Sequence, residues 1–217
     1  MAEALAAKRA RAKKILTQLG RAYPKAAIAL RFTNPLELLV ATILAAQCTD
    51  ERVNQVTASL FKKYRTARDY AEATPTVLEE EIRSTGFYKA KARSIIGAAR
   101  RLQEQGGEVP RTLDELVQLP GVGRKTANVV LGNAYGQQAI AVDTHVFRVS
   151  QRLGLAKSMN PDEVEAQLRE VLPRSQWTRS CHRFQAHGRT TCHARRPDCP
   201  HCPLRALCPW PEKTLAS

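Results

Sequence analysis

The sequence lacks any run of about 18 consecutive apolar residues, the length that a membrane-spanning helix requires. Its first 25 residues hold seven basic side chains and one acid, and no apolar segment of a secretory signal follows them. Acids are scarce throughout, since 20 Asp and Glu stand against 34 Lys and Arg and leave a net charge of +14. This balance favours an anionic polymer as partner, with nucleic acid ahead of anionic lipid. We therefore expect a cytoplasmic protein, nucleoid-associated in a bacterium, with no membrane partner.

Alternating strand patterns are also rare, and nearly every boundary signal is that of a helix. The segments 34–37 and 160–163 both read Asn-Pro-x-Glu, which fits the cap, first and third positions of a helix. Ile15, Leu16 and Leu19 give the basic first helix a stripe that faces a core. The sequence contains no internal repeat, low-complexity segment or long flexible linker. It predicts an all-α fold.

The stretch 113–131 reads LDELVQLPGVGRKTANVVL and predicts a helix, a hairpin and a second helix. Thr112 and Glu115 have the form of a capping box at the start of the first helix. Gly121 and Gly123 free the backbone for a tight hairpin with positive φ. Backbone N–H groups at the second helix would then bind a phosphate without reading a base. A plain helix connection explains the spacing equally well, whereas a nucleotide P-loop would need glycine directly before the Lys-Thr pair.

Lys125 falls in the first turn of the second helix, where the helix dipole and the neighbouring Arg124 disfavour a positive charge. Partial burial would add to these effects and make the neutral amine a candidate nucleophile. A solvated surface charge is the commoner role of a lysine. Asp143 lies 18 residues later, at the start of a further helix. Its commoner role is an N-cap, but if the chain returns toward Lys125 a carboxylate and an amine would share a cleft.

Four cysteines near the end of the chain form the pattern C-x6-C-x2-C-x5-C, namely Cys192, Cys199, Cys202 and Cys208. Their closeness predicts a metal site, and disulfides are disfavoured because nothing marks the chain as secreted. An iron–sulfur cluster is favoured over zinc, because structural zinc sites usually show two short cysteine pairs. Zinc remains the alternative. Arg195 and Arg196 lie in the first loop of this pattern. Metal ligands would hold that loop at both ends, so these guanidinium groups are candidate phosphate contacts.

The hairpin LPGVGRKTAN, the segment AVDTHVFRV and the cysteine pattern occur in this order, together with AAQCTD and GEVP. From about Leu36 to Cys208 the chain thereby resembles the endonuclease III family of DNA glycosylases. The resemblance implies a bifunctional DNA glycosylase and AP lyase of base excision repair. It would act as a monomer on double-stranded DNA that contains damaged pyrimidines, such as thymine glycol, or abasic sites. A [4Fe-4S] cluster on the four cysteines is implied as a scaffold rather than as the chemical catalyst.

The implied fold has two helical lobes with a cleft between them. A six-helix domain over 28–137 would carry the helix-hairpin-helix motif, and a discontinuous domain of 1–27 plus 138–217 would hold the C-terminal cluster loop. Lys125 would attack C1′ of the damaged nucleotide, with Asp143 as its catalytic partner, and β-elimination through a Schiff base would cut 3′ to the lesion.

The resemblance also implies DNA contacts outside the catalytic pair. Gln47 would fill the space of the extruded base, and Phe87 would wedge the opposite strand. Leucine is usual in the family where this chain has Phe87, and a core aromatic is the alternative role for that side chain. The hairpin would supply further contacts to the DNA backbone, from Leu119, Gly121, Val122, Gly123 and Arg124.

Two competing functions share some of these features. An adenine-mismatch glycosylase normally lacks the lysine and has an additional C-terminal recognition domain, whereas this sequence has Lys125 and ends nine residues after Cys208. A DNA-binding module without catalysis would need only the charge, the hairpin and the cluster. The pair Lys125 and Asp143 is what distinguishes the enzyme from such a module.

Overall fold

The computed structural model describes residues 3–213, and no β-strand occurs within that range. The predicted all-α class is confirmed. Three 3-10 turns also occur, at Arg83–Thr85, Arg174–Gln176 and Arg205–Leu207. The α-helices of the described residues, in chain order, are α1 (Leu5–Ala22), α2 (Pro35–Leu44), α3 (Asp50–Lys63), α4 (Ala67–Ala71), α5 (Pro75–Glu81), α6 (Tyr88–Glu104), α7 (Leu113–Leu116), α8 (Arg124–Ala134), α9 (Thr144–Arg152), α10 (Pro161–Val171) and α11 (Trp177–Thr190).

The chain divides into two compact units, Ala29–Gln137 and a discontinuous unit of Met1–Ile28 with Gln138–Ser217. In the unit 29–137, α2 is the central element, because every residue from 38 to 44 is buried. Helices α3, α6 and α8 pack against α2, while α4 and α5 pack against α6. The start of α2 is the one that the sequence predicts, with an Asn cap and Pro in the first turn.

The hairpin lies between α7 and α8 of the same unit. The Thr112 hydroxyl caps α7 by accepting a hydrogen bond from the Glu115 N–H. The predicted capping box is only half formed, because the Glu115 carboxylate accepts from the Thr112 hydroxyl instead of its backbone N–H. Gly121 has the expected positive φ of 76°. The prediction for Gly123 is wrong, since it is the N-cap of α8 in an extended conformation with φ −87°.

The discontinuous unit is built around α1, α9, α10 and α11. The predicted apolar stripe of α1 is confirmed, because Ile15, Leu16 and Leu19 are all buried. Phe184 of α11 is fully buried in the same core. Cys192, Cys202 and Cys208 are partly buried against it, so the cysteine pattern is packed onto the hydrophobic core. Within residues 3–213, no helix is long and apolar enough to span a membrane.

Candidate active site and cysteine pocket

Lys125 stands in the first turn of α8 with its side chain exposed to solvent. The predicted partial burial is wrong because α8 buries Ala127, Val130 and Leu131, and Lys125 is rotated by about 200° from Ala127 around the helix. Among the described residues, the Lys125 amine has neither a hydrogen-bond acceptor nor an ion-pair partner. Its ammonium or amine group is therefore free for a partner outside the chain.

Asp143 is the N-cap of α9 and is half-buried. Its Oδ1 accepts hydrogen bonds from the N–H groups of His145 at 3.0 Å and Val146 at 2.7 Å. Oδ2 makes no hydrogen bond to any residue in 3–213. One oxygen thus orients the carboxylate, and the other stays available for chemistry. Lys125 and Asp143 belong to different units, and their proximity stays a prediction.

His145 directly follows Asp143 and Thr144 in the same turn. Burial lowers the pKa of His145, the neighbouring Asp143 carboxylate raises it, and Arg148 and Arg189 lower it. Nδ1 lies 3.1 Å from Nη2 of Arg148, and because a guanidinium only donates, this contact needs Nδ1 as the acceptor.

The hairpin is seated on α6 through two close approaches. A Cβ on Gly121 would lie 2.5 Å from Cβ of Ser94, and a Cβ on Gly97 would lie 3.2 Å from the Pro120 ring. Leu119 and Val122, two of the predicted DNA contacts, are buried. Gly121 and Gly123 are exposed, and Arg124 is half-buried. The turn can thus present main-chain groups at the start of α8.

Gln47 and Phe87 share an unusual backbone state. Both have left-handed φ values, 53° and 49°, although neither is glycine. Such a conformation costs an ordinary residue about 1–2 kcal/mol, and it is concentrated at functional sites. Gln47 is exposed and Phe87 is 65% exposed, so the alternative core role of Phe87 is wrong. The Phe87 ring instead projects a large apolar surface into solvent.

The four predicted metal ligands line one pocket of the discontinuous unit, together with side chains from α9, α11 and the C-terminal segment. Burial and the neighbouring cysteines raise the pKa of Cys202 to about 11, and burial also raises that of Cys208. A cation would be needed to hold Cys202 and Cys208 as thiolates, and a metal centre would supply it. In the described part of the chain, no three His, Cys, Asp or Glu side chains are grouped to ligate a single metal ion.

Donors around the pocket match a group of bound thiolates. Arg152 of α9 donates from Nη1 to Sγ of Cys192 at 3.3 Å, and the Leu204 N–H donates to Sγ of Cys202 at 3.4 Å. The Arg152 guanidinium also lies 4.1 Å from the Trp210 ring centroid. His187 Nε2 lies 3.7 Å from Sγ of Cys202. The residues present therefore fit an anionic sulfur-ligated centre.

The two arginines of the cysteine loop are exposed, and Arg196 has a positive φ of 53°. Arg152 holds the start of this loop, because its guanidinium donates to the carbonyl oxygens of His193 at 2.6 Å and Ala194 at 3.0 Å. Arg195 and Arg196 thus extend from a loop that is fixed at its base. The sequence predicted that metal ligands would hold this loop at both ends. The hydrogen bonds from Arg152 are a further restraint on the same loop.

Sequence reasoning missed three residues that organise these sites. Lys91 is buried in the unit 29–137 and bonds two carbonyl groups at the ends of neighbouring helical segments. Arg148 and Arg152 of α9 both bind the segment that follows α11. The spacing of four residues places Arg148 and Arg152 on one face of α9. The sequence alone does not show that the segment after α11, about 40 residues later, packs on that face.

Comparisons with known proteins place this architecture in a family. Residues 40–174 match the model of the HhH-GPD superfamily base excision DNA repair proteins. The chain is 49% identical over 207 residues to an endonuclease III of Synechocystis, and the match covers 94% of both chains. Two solved structures, an endonuclease III in a non-covalent DNA complex and one trapped as a covalent intermediate with DNA, are each similar at TM-score 0.88. Both are 47% identical, and the matches cover 93% of this chain and 95% of theirs.

Enzyme class follows from these likenesses, which extend over nearly the whole chain. The protein is a DNA glycosylase with AP lyase activity that acts in base excision repair, and an iron–sulfur centre is typical of such proteins. The helix-hairpin-helix segment, the N-capping aspartate and the cysteine pocket are all present in the fold. This chain belongs to the endonuclease III family of the HhH-GPD superfamily.

Proposed function

We propose that this protein excises oxidised pyrimidines, with thymine glycol as the reference lesion, from double-stranded DNA and then cleaves 3′ to the abasic site. Lys125 is the nucleophile and Asp143 is its partner. The observation that carries this proposal is the exposed, unpartnered amine of Lys125 in the first turn of α8, directly after the glycine hairpin. The enzyme works as a monomer in the cytoplasm, without a membrane partner.

The chemistry assigned to Lys125 requires a neutral amine. Its Nζ forms a bond to C1′ as the bond from C1′ to the damaged base breaks, and the base leaves with the electron pair and takes up a proton. Opening of the sugar converts the adduct into a protonated Schiff base. Loss of the C2′ proton then expels the 3′ phosphate by β-elimination, which cuts the strand.

Asp143 is suited to a supporting role because its two oxygens have different environments. Oδ1 is held by two N–H groups of α9, while Oδ2 has no partner among residues 3–213. We assign to Oδ2 the proton of the attacking amine and the stabilisation of the positive charge that develops on the sugar.

DNA binding is assigned to three groups of residues. The N–H groups of Gly121, Gly123 and the first turn of α8 bind a backbone phosphate, while Leu119 and Val122 anchor the turn from inside. Gln47 and Phe87 enter the base stack, and their strained backbone supports such a role. Arg195 and Arg196 neutralise phosphates from their loop, with half-buried Arg124 as a further basic contact at the hairpin.

The cysteine pocket is assigned to a [4Fe-4S] cluster on Cys192, Cys199, Cys202 and Cys208. Such a centre supplies a rigid anionic anchor for the C-terminal segment. Arg152 and the Leu204 N–H donate to the sulfur atoms of Cys192 and Cys202, and His187 Nε2 lies 3.7 Å from that of Cys202. The loop with Arg195 and Arg196 is thereby fixed to the core of the discontinuous unit. Catalysis is assigned to Lys125 and Asp143 and not to this centre.

Borohydride trapping tests the proposal. A duplex with one thymine glycol is incubated with the wild type, Lys125→Gln or Lys62→Gln, in the presence of borohydride, and the products are resolved on a denaturing gel. Borohydride reduces the Schiff base and fixes enzyme to DNA. We expect a covalent complex with the wild type and with Lys62→Gln, whose exposed lysine at the end of α3 is a matched control. Lys125→Gln should give none.

The outcomes separate the enzyme from a binding module. Trapping by Lys125→Gln at the level of the wild type would assign the nucleophile to another amine. If no variant traps or cleaves either this duplex or an abasic one, although all bind both, the proposed activity on these substrates fails. Excision that persists in Lys125→Gln without strand cleavage would indicate a glycosylase that has no lyase step.

A further inference from the structure

Lys91 is a buried cation in the middle of the unit 29–137. It lies on the first turn of α6 and is only 5% exposed, although lysine is rarely found inside proteins. Its Nζ donates hydrogen bonds to the carbonyl oxygens of Leu44 and Thr85, both at 2.7 Å. Burial lowers the pKa of Lys91, while the Cys48 thiol nearby acts in the opposite direction. The assigned chemistry leaves this residue without a role.

The two acceptors of Lys91 are helix ends. Leu44 is the last residue of α2, and Thr85 is the last residue of the 3-10 turn Arg83–Thr85. Terminal carbonyl groups of a helix have no acceptor role within it and carry partial negative charge. One ammonium group therefore satisfies and joins two C-termini that are 41 residues apart in the sequence.

Each of these ends leads directly into a loop with a residue proposed to enter DNA. The loop 45–49 follows Leu44 and contains Gln47, and Gly86 and Phe87 follow Thr85 before α6 begins. Both Gln47 and Phe87 are exposed and have left-handed backbones. A single buried group thus lies at the base of both strained loops, which we call the probe loops.

We propose that Lys91 is a positioning residue that holds the two probe loops at a fixed spacing in the free protein, so that Gln47 and Phe87 can extrude a paired base. This inference extends the proposed function and rests on it. Lys91 does not contact the DNA or the reacting atoms. It acts through two main-chain carbonyl groups, which explains why a charged side chain is kept inside a helical core.

The consequence is specific to one step of the reaction. Extrusion must break base pairing and stacking, and its cost is lower for a base that is already unpaired. Loss of Lys91 should therefore slow excision of a paired lesion much more than excision of the same lesion in an unpaired bulge. A mutation that only destabilised the fold would lower the amount of active enzyme and slow both reactions alike.

The experiment compares the wild type, Lys91→Met and Lys89→Met under single-turnover conditions with enzyme in excess. Methionine keeps the length of the lysine stem without its donors, and Lys89 is an exposed residue of the same helix. Each protein receives thymine glycol opposite adenine and thymine glycol in a bulge. For Lys91→Met we expect excision of the paired lesion to fall about tenfold or more, since small misplacements are costly in such sites. On the bulge the fall should be about threefold or less, and Lys89→Met should match the wild type on both.

Equal slowing of Lys91→Met on both substrates, or no slowing on either, overturns the positioning role. Failure of the wild type itself to excise either lesion defeats the proposed function, which separates that failure from this one. Hydrogen exchange on the wild type gives a test that needs no variant. The amides of Cys48 and Gly86 donate within the probe loops, each at 3.2 Å, and should exchange slowly. Exchange of both at the rate of an unstructured peptide also overturns the proposal.

Discussion

At the scale of single residues, the two glycines of the hairpin have different conformational requirements. Gly121 has φ 76°, and a Cβ there would lie 2.5 Å from Cβ and 2.6 Å from Oγ of Ser94. Gly123 has φ −87°, and a Cβ there would meet no described atom within 4 Å. Gly121→Ala should therefore lower the free energy of unfolding by about 2 kcal/mol or more, from left-handed strain and overlap together. Gly123→Ala should cost within about 1 kcal/mol. Urea unfolding followed by circular dichroism measures both.

The close approach to Ser94 can be isolated in a second variant. Ser94→Gly removes the two nearest atoms and leaves the Ser94 Cα, at 3.6 Å, as the next contact. Combined with Gly121→Ala, it should recover part of the loss, so that the two changes are not additive. Because Ser94→Gly itself places a glycine inside α6, the deficit that remains relative to Ser94→Gly would report the left-handed backbone. Equal stabilities of Gly121→Ala and Gly123→Ala would refute the assigned role of the turn.

At the scale of elements, Asp143 is the cap of α9 and also the carboxylate proposed to act in catalysis. Asparagine caps a helix as well as aspartate does, whereas alanine costs about 1 kcal/mol. Asp143→Asn should keep the hydrogen bonds to His145 and Val146 and leave the unfolding free energy within about 0.5 kcal/mol of the wild type. Excision should nevertheless fall by about 100-fold or more, because the amide cannot take up a proton. Thermal unfolding and single-turnover excision, measured side by side, check the two expectations.

Asp143→Ala is the complementary variant, since it removes the cap and the carboxylate together. It should lose excision to the same extent and stability as well. Unchanged excision by Asp143→Asn at saturating DNA would reduce Asp143 to a helix cap. Asp143 would then have only the commoner role that the sequence offered, that of an N-cap.

The starts of helices were predictable because capping is local. The Asn34 and Asn160 caps accept from N–H groups within three residues, so the signal lies in consecutive letters. The cysteine pocket was predictable for the same reason. Predictions failed at residues whose conformation or hydrogen-bond partners depend on segments far away in the sequence. Of the two hairpin glycines, Gly121 has a positive φ and lies against Ser94 of α6, whereas Gly123 does neither. Lys91 finds its acceptor in Leu44, which lies 47 residues earlier.

The exposure of Lys125 was predictable from the sequence, although partial burial was expected. The apolar positions of α8 place Lys125 opposite the buried face of the helix. Phe87 is different. A large aromatic normally predicts burial, and only the loop before α6, with its left-handed backbone, keeps this ring 65% exposed. Local propensity fails at such a position because the conformation of the loop, and not the residue type, decides where the ring lies.

At the scale of the whole molecule, positive charge is distributed unequally. The discontinuous unit carries +11 of the net +14, and the unit 29–137 carries +3. Gln47 and Phe87, the residues proposed to probe the base, lie in the nearly balanced unit, as does Lys125, the proposed nucleophile. Under the proposed function, sequence-independent attraction would belong to one unit and lesion recognition to the other. Electrostatic binding depends strongly on salt, whereas base stacking does not.

Replacement of Arg195 and Arg196 by glutamine should therefore weaken binding to undamaged duplex without changing single-turnover excision at saturating enzyme. Each phosphate contact contributes about 0.9 to the slope of log affinity against log salt, so the slope should fall by about 2. Fluorescence anisotropy at several salt concentrations measures it. The control, Lys62→Gln with Arg68→Gln, lowers the net charge equally at exposed positions of the other unit and should leave the slope nearly unchanged. Equal slopes for the two double variants would mean that only net charge matters, and the clamped loop would have no special part in binding DNA.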